Sequence, residues 1–316
     1  MLPFKLIYHS GYDLNLGTHV FPSQKYRLIR ERLLSDRIAD EADFEEPAPA
    51  SDDEIRLVHD AGWVQRLKDN KLGYGELQRL EIPWNIRTAD AVWRATGGSI
   101  LAVERALRDG VGINIGGGFH HAFRAHGEGF CAINDIAVAI RRWQSAGVIE
   151  RAMVIDCDVH HGNGTAAIFA NDPSVATLSI HQFNNYPSEK PPSTVDINLP
   201  DLTSDDQYLR LLRSPSEKLV SSFAPQLLVY VAGADPYRED QLGGLRLTIE
   251  GLQTRDEMIF GLARRHGVPV AVVLAGGYAQ NVEDTVTIHC NTIRAAAKMF
   301  EREGSEKHSA QNVNME

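Results

Sequence analysis

The sequence predicts an α/β domain with a mostly parallel central sheet and helices on both faces. Three observations lead to this prediction. Short apolar runs alternate with helical patterns along the chain, which is the order expected of a parallel sheet. Several of these runs are apolar throughout, as in strands that are covered on both faces. The 316 residues are enough for one large α/β domain or two small ones, and no segment separates two clear domains.

The predicted strands are the short apolar runs. Their ranges are 4–8, 111–115, 152–159, 175–180, 227–233 and 269–277. The first run is interpreted as a strand rather than as the core of a signal peptide, because His9 and Asp13 follow it too soon.

The predicted helices show apolar residues at helical spacing. Their ranges are 22–35, 52–70, 88–109, 134–146, 205–222, 248–266 and 281–300. Ser51 and Glu54 form a capping-box pattern at the start of the second helix. Gly110, Gly147 and Gly267 each follow a helical pattern, where glycine commonly ends a helix.

Two segments look loose. Residues 40–54 are acidic and contain two prolines, which predicts an exposed loop. Residues 301–316 are polar and predict a flexible C-terminal tail. The catalytic domain is therefore expected to span residues 1–300.

Composition argues against two classes of partner. The net charge of −10 makes stable binding to nucleic acid unexpected, because such binding uses clustered Lys and Arg. No apolar stretch is long enough to predict a membrane span. Cys131, Cys157 and Cys290 are far apart and odd in number, which favours buried thiols in a reducing compartment. We therefore expect a cytoplasmic location.

Four predicted strands run directly into polar or glycine-rich segments. These segments are GGGFHH (116–121), DCDVHHGN (156–163), AGAD (232–235) and LAGGY (274–278). In open α/β sheets, ligands bind beyond the carboxyl ends of the strands. The four segments are therefore expected to meet at one edge of the sheet.

Alternation along a strand divides the DCDVHHGN segment. Asp156, Asp158 and His160 would share one face, and His161 would lie on the other. Asp158 and His160 could chelate one ion, and Asp235 at another strand end would add a carboxylate. One histidine and two carboxylates suit Zn²⁺ with an open position for water, and Fe²⁺ is also possible.

Such a site is formally neutral, so a bound water would be less acidified than at a site of three histidines. A nearby general base is then needed, and His120 and His121 are candidates. Tyr278 could donate its hydroxyl to an oxyanion. His161 is assigned no catalytic role.

These motifs resemble those of the zinc-dependent histone deacetylase family. The likeness rests on GGGFHHAF, GEGFCAINDIAVAI, DCDVHHGNGT, AGADPYREDQLGGL and LAGGY, and it runs from about residue 6 to residue 298. The segment IRTADAVWRATGGSILAVERAL, together with INIGGGFHH and DQLGGL, looks most like the class IV branch and its bacterial relatives. The resemblance implies the single-domain, three-layer arginase/deacetylase-like fold.

The resemblance also implies a role for each matching residue. The implied zinc ligands are Asp158, His160 and Asp235. The implied proton-transfer residue is His121, assisted by His120, with Asp156 and Asn163 as their partners and Tyr278 polarising the carbonyl. The implied tunnel residues are Gly129 and Phe130, with Leu242 near the mouth. The implied potassium residues are Asp156, Asp158, His160 and Ser179 for an inner site and Phe169 and Val175 for an outer one.

The activity implied is hydrolysis that removes acetyl or longer acyl groups from lysine side chains in proteins or peptides. Polyamine-selective relatives can carry an acidic residue near the tunnel mouth, where this chain has Leu242. Glu239 and Asp240 lie close by, so an acetylpolyamine or other small acylated amine stays an alternative substrate. A two-manganese ureohydrolase and a silent acyl-lysine binder are less favoured. Acyl-chain length, native metal, oligomeric state and pathway are left open.

Asn163 carries one further expectation. Family members of class I usually have an aspartate at this position. An asparagine brings no charge to stabilise a protonated His121, so His121 should stay neutral more easily and be a poorer acid.

Overall fold

The computed structural model describes residues 1–301. Its strands are β1 (Lys5–Ile7), β2 (Phe44–Glu45), β3 (Val111–Asn114), β4 (Ala152–Asp156), β5 (Val175–Gln182), β6 (Val195–Leu199), β7 (Leu227–Val231) and β8 (Val270–Val273). They form one sheet in the order β2-β1-β3-β8-β7-β4-β5-β6. Every neighbouring pair is parallel, which confirms the predicted fold class.

Helices cover both faces of this sheet. They are α1 (Lys25–Ser35), α2 (Asp52–Ile55), α3 (Ala61–Lys68), α4 (Tyr74–Leu80), α5 (Ile86–Asp109), α6 (Asp135–Ser145), α7 (Asn163–Phe169), α8 (Asp205–Phe223), α9 (Ile249–His266) and α10 (Val282–Phe300). α5 packs against α6, while α1, α8, α9 and α10 form a second connected layer. The central strands β3, β4, β7 and β8 are buried along their whole length, as their apolar sequences require.

The six predicted strands are all present, but five are shorter than expected, β4 and β8 most of all. β4 ends at Asp156 and β8 ends at Val273, so the polar segments beyond them are loops. The expectation missed β2 and β6 and the short helices α4 and α7. The Ser51–Glu54 capping box is present at α2. Gly110 and Gly267 cap α5 and α9 with left-handed backbones.

The single helix predicted over 52–70 is two helices, α2 and α3. Between them His59 is buried, and its Nε2 accepts the backbone N–H of Asn134 at 2.9 Å. This long-range bond fixes a turn that helical spacing alone could not reveal.

The expectation of an exposed loop at 40–54 is partly wrong. The segment contains edge strand β2, and Ala50 is buried with its N–H donated to the Trp93 carbonyl at 2.9 Å. The Ala48 carbonyl lies so close to Gly97 of α5 that a Cβ there would approach it to 1.9 Å. Backbone packing against α5 therefore orders this acidic stretch.

Two other expectations concern the ends of the chain and membranes. Of the predicted tail at 301–316, all but Glu301 lies outside the described residues. Within residues 1–301, no helix combines the length and apolar character needed to span a bilayer.

We expect Gly97→Ala to lower the free energy of unfolding by about 1–3 kcal/mol, because the added methyl group clashes with a backbone carbonyl. Gly75→Ala in α4 is the matched control, since nothing lies within 4 Å of a Cβ there. Urea denaturation of both variants measures the effect. Equal stability of the two variants would contradict the packing of 40–54 against α5.

Candidate active site

The four polar segments meet at one edge of the sheet. The strands that precede them, β3, β8, β7 and β4, are consecutive neighbours and all run parallel. The carboxyl ends of these strands therefore open on the same edge. Residues from distant parts of the sequence come together there.

Asp158, His160 and Asp235 form a buried group. One possible ligand atom of each lies within 4.8 Å of the others. His160 Nδ1 is 3.0 Å from Asp158 Oδ1 and 3.4 Å from Asp235 Oδ2. Among the described residues, Asp235 Oδ2 has no hydrogen-bond partner although it is buried, which is costly. A divalent cation would supply that partner, so these residues fit a metal site.

Backbone groups surround the two carboxylates closely. The Gly276 N–H donates to Asp158 Oδ2 at 3.0 Å, and the Val159 N–H donates to Asp235 Oδ1 at 2.8 Å. A Cβ at Gly276 would lie 2.0 Å from Asp235 Oδ2, so only glycine fits here. Burial and the nearby Asp158 carboxylate raise the pKa of Asp235 to about 7. Two charged carboxylates are stable this close together only beside a cation.

His120 and His121 lie beside this group and differ in their partners. His120 Nδ1 donates to Asp156 Oδ2 at 2.7 Å, and His121 Nδ1 donates to Asn163 Oδ1 at 2.8 Å. Burial disfavours a charged His120, but Asp156 and Asp158 outweigh it and raise its pKa to about 9. Burial and the neighbouring histidines lower the pKa of His121 well below its usual value. The two rings therefore favour different protonation states.

Tyr278 borders the same space. Its backbone N–H donates to Asp240 Oδ2 at 2.7 Å, and its ring centroid lies 6.4 Å from that of His160. Burial and the charges of Asp158 and Asp235 raise the pKa of the Tyr278 hydroxyl well above its usual value. The hydroxyl therefore stays protonated and can donate a hydrogen bond.

A cavity of about 150 Å³ leads to these groups. Its lining residues are Glu81, His121, Gly129, Phe130, His160, Asn185, Tyr186, Leu242 and Tyr278. The Tyr186 ring stands perpendicular to His121 with 4.9 Å between centroids. Gly129 and Phe130 both have a left-handed backbone, which turns the chain along the cavity. The predicted tunnel residues thus line the space that reaches the buried histidines.

A family model described as the histone deacetylase domain matches residues 19–293, which is most of the chain. The chain belongs to the histone deacetylase family. It is a hydrolase that acts as a deacetylase, and its parallel sheet with helices on both faces is the arginase-like fold of that family.

Individual relatives agree. An uncharacterised protein of Picosynechococcus sp. is 37% identical, with 94% of this chain and 99% of that protein covered. Histone deacetylase 2 of Arabidopsis thaliana is 32% identical (87% and 75% covered) and the acetoin utilization protein AcuC of Bacillus subtilis is 30% identical (82% and 73% covered). The crystal structure of the HDA15 HD domain matches with a TM-score of 0.79 at 24% identity, covering 93% of this chain and 88% of that one, which supports the fold.

The deacetylase has three further polar residues at the site that the strand-end motifs did not indicate. Lys25 of α1 is buried, and its Nζ donates to the Ala275 carbonyl at 2.6 Å and lies 5.8 Å from the Tyr278 ring centroid. Burial lowers its pKa to about 8. Tyr186 and Glu81 line the cavity.

Besides Asp156, Asp158 and His160 of the deacetylase site, three residues have an implied potassium role, namely Ser179, Phe169 and Val175. Asp156 and Ser179 face each other in the β4–β5 register. Phe169 ends α7 and Val175 begins β5, and both are buried. The two potassium sites stay predictions.

In the deacetylase, His161 has different partners from His120 and His121. Its Nε2 donates to Asp196 Oδ1 at 3.2 Å, and its ring meets His181 edge to face with 4.6 Å between centroids. These three side chains also lie close enough together to bind an ion. The His161–Asp196 hydrogen bond joins two of the three, and His181 Nδ1 lies 2.9 Å from the Ser179 hydroxyl.

Arg255 supports the loops that carry two of the carboxylates. Its fully buried guanidinium donates to the Gly233 carbonyl at 2.7 Å and to the Cys157 carbonyl at 3.3 Å. The same side chain pairs with Asp256 at 2.8 Å. Arg255 thus ties together the chain segments next to Asp158 and Asp235.

We expect Asp235→Asn to stabilise the metal-free deacetylase. The raised pKa means that the folded state holds this proton more tightly than the unfolded state, whose reference value is 3.8. The stability that Asp235 contributes is therefore present below pH 4 and lost as the pH rises through about 7. The gap in stability between variant and wild type should widen over that range in chelator-treated protein.

Urea denaturation between pH 4 and pH 8 measures this gap. Adding Zn²⁺ should reverse the order, because the variant has lost a ligand. A gap that is independent of pH would contradict the proposed strain between the carboxylates.

We expect Arg255→Met to lower the free energy of unfolding by about 3–5 kcal/mol, because it leaves the Asp256 charge buried and unpaired. Adding Asp256→Asn should recover part of this loss. Thermal and urea denaturation of the single and double variants measure it, and strictly additive losses would argue against the pairing.

Proposed function

We propose that this deacetylase removes acyl groups from the side-chain amine of lysine in proteins or peptides, with Zn²⁺ as its first candidate metal and Fe²⁺ as its second. The main supporting observation is that one cavity is lined by His121, by Tyr278 and by His160, and that His160 belongs to the Asp158–His160–Asp235 group. A divalent ion held by these three ligands would polarise the amide carbonyl and a water molecule.

The remaining chemistry belongs to the side chains around the ion. His121 accepts a proton from the attacking water at Nε2, because its Nδ1–H is donated to Asn163. Tyr278 donates its hydroxyl hydrogen to the oxyanion that forms. His121 then delivers its proton to the leaving amine. Asp156 holds His120 beside His121 and keeps a positive charge near the reacting atoms.

The cavity suits an extended side chain. Phe130 and Tyr186 provide aromatic walls, and Leu242 forms part of the mouth. Such walls contact the methylene groups of a lysine and exclude water from the amide. We propose Gly129, Phe130 and Leu242 as substrate-binding residues on this basis.

A small acylated amine is the second candidate substrate, and exposed Glu81 at the cavity mouth favours it because a carboxylate there attracts a cation. Asp240 does not serve this purpose. Its Oδ1 accepts the N–H groups of Leu242 and Gly243 at 2.8 and 3.0 Å, and its Oδ2 accepts that of Tyr278. Of Glu239 and Asp240, only Glu239 is exposed.

We further propose structural potassium binding at the inner and outer sites, a class IV-like affiliation and a cytoplasmic location. The three cysteines are unpaired and buried, which supports a reducing compartment. The net charge of −10 supports the expectation that nucleic acid is not a direct partner.

Lysine peptides that carry acetyl to myristoyl groups, compared with N-acetylated polyamines, test the substrate. We expect peptide turnover that requires a divalent ion and falls about 10²–10³-fold in kcat in Tyr278→Phe, because one oxyanion donor is lost. Metal content should be unchanged in this variant. Turnover of polyamines alone would overturn the lysine proposal, and no turnover of any substrate would favour a silent binder.

A further inference from the structure

Glu128 lies behind Asn163 as viewed from His121. Asn163 Nδ2 donates to Glu128 Oε1 at 2.5 Å, and the Tyr186 hydroxyl donates to the same oxygen at 3.2 Å. His126 Nε2 lies 3.5 Å from Glu128 Oε2. The Glu128 side chain is only 16% exposed. A carboxylate with so little exposure needs hydrogen-bond donors. The shortest of its hydrogen bonds comes from Asn163, the partner of His121.

The charge of Glu128 decides how the Asn163 amide is oriented. Burial raises the pKa of Glu128, but the donors from His126, Asn163 and Tyr186 outweigh burial and lower it overall, so the group is an anion. An ionised carboxylate only accepts hydrogen bonds. The NH₂ group of Asn163 must therefore face Glu128, and its oxygen must face inward.

The inner side of the amide requires the same orientation. The Gly164 N–H donates to Asn163 Oδ1 at 3.0 Å, and His121 Nδ1 approaches this oxygen at 2.8 Å. Since the oxygen can only accept, His121 must carry its hydrogen on Nδ1. His121 Nε2, which faces His120 at 3.1 Å, is then left with its lone pair.

We propose that Glu128 is a positioning residue of this deacetylase, which acts through Asn163 to hold His121 as the Nδ1–H tautomer with its lone pair on Nε2. This inference rests on the proposed role of His121 in proton transfer. Asn163 brings no charge of its own, but the structure places a carboxylate one side chain farther from His121.

Exchanging the acid and the amide provides a stringent test. Asn163→Asp alone sets two carboxylates against each other, and we expect kcat to fall at least about tenfold, the effect of losing one charge-assisted hydrogen bond. In Glu128→Gln with Asn163→Asp, the new amide donates to the new carboxylate, which again accepts from His121. The double variant should therefore be more active than Asn163→Asp alone.

A role for Glu128 in packing alone predicts the opposite, namely that the second substitution lowers activity further. That result would overturn the proposal. Glu250→Gln, which removes an exposed carboxylate at the start of α9, controls for the change in net charge. KM for an acetyl-lysine peptide should change less than kcat, because Asn163 does not line the substrate cavity.

A second measurement needs no substrate. In protein with ¹⁵N-labelled histidine and bound Zn²⁺, long-range ¹H–¹⁵N spectra distinguish the two tautomers, and His121→Phe identifies the His121 signals. We expect Nδ1–H in the wild type and in the double variant, and a weaker preference for it in Glu128→Gln, whose amide can donate as well as accept and so no longer fixes the orientation of Asn163. An Nε2–H tautomer in the wild type would overturn the proposal even if acyl-lysine turnover is found. Turnover failing while the tautomer pattern holds would instead count against the proposed function alone.

Discussion

Two carboxylates meet in the interior of this protein, and much of the structure around them makes that meeting possible. Asp158 and Asp235 arrive from neighbouring strand ends and lose nearly all contact with solvent. Gly276 leaves room for both, and Arg255 ties down the loops beside them. The two carboxylates form an unfavourable arrangement of charge that a bound cation would relieve, and His121 and Tyr278 lie beside His160 at this point.

The surroundings of His120 and His121 give these two residues different preferences for a proton. His120 lies against the Asp156 carboxylate, which with Asp158 raises its pKa against the effect of burial, whereas burial and the neighbouring histidines lower the pKa of His121. Two adjacent histidines thereby differ in their chemistry because their neighbouring side chains differ. In our proposal Glu128 acts on His121 indirectly. Its charge orients the Asn163 amide, and its side chain does not contact the His121 ring.

Strand-end residues could be identified from the sequence because a carboxylate or imidazole that follows a buried apolar strand is costly unless it is paired or binds a metal. Strand alternation groups Asp158 with His160, although β4 ends at Asp156 and the loop beyond it brings the two side chains together. Lys25 and Glu128 could not be found this way. A charged residue in a helix or loop is ordinarily solvated, and only tertiary contacts show that these two are not. Strand β2 could not be predicted either. It has only two residues, which show no local sequence pattern, and it is defined by its pairing with β1.

The strand order also constrains when the protein can become active during synthesis. β3 pairs with β8, so the centre of the sheet can form only after residues 270–273 are available to pair with residues 111–114. Contacts of such long sequence separation form slowly and leave strand edges exposed meanwhile. Tyr278 follows β8 in the chain, so the four polar segments that border the candidate site can meet only after almost all of residues 1–301 have been synthesised.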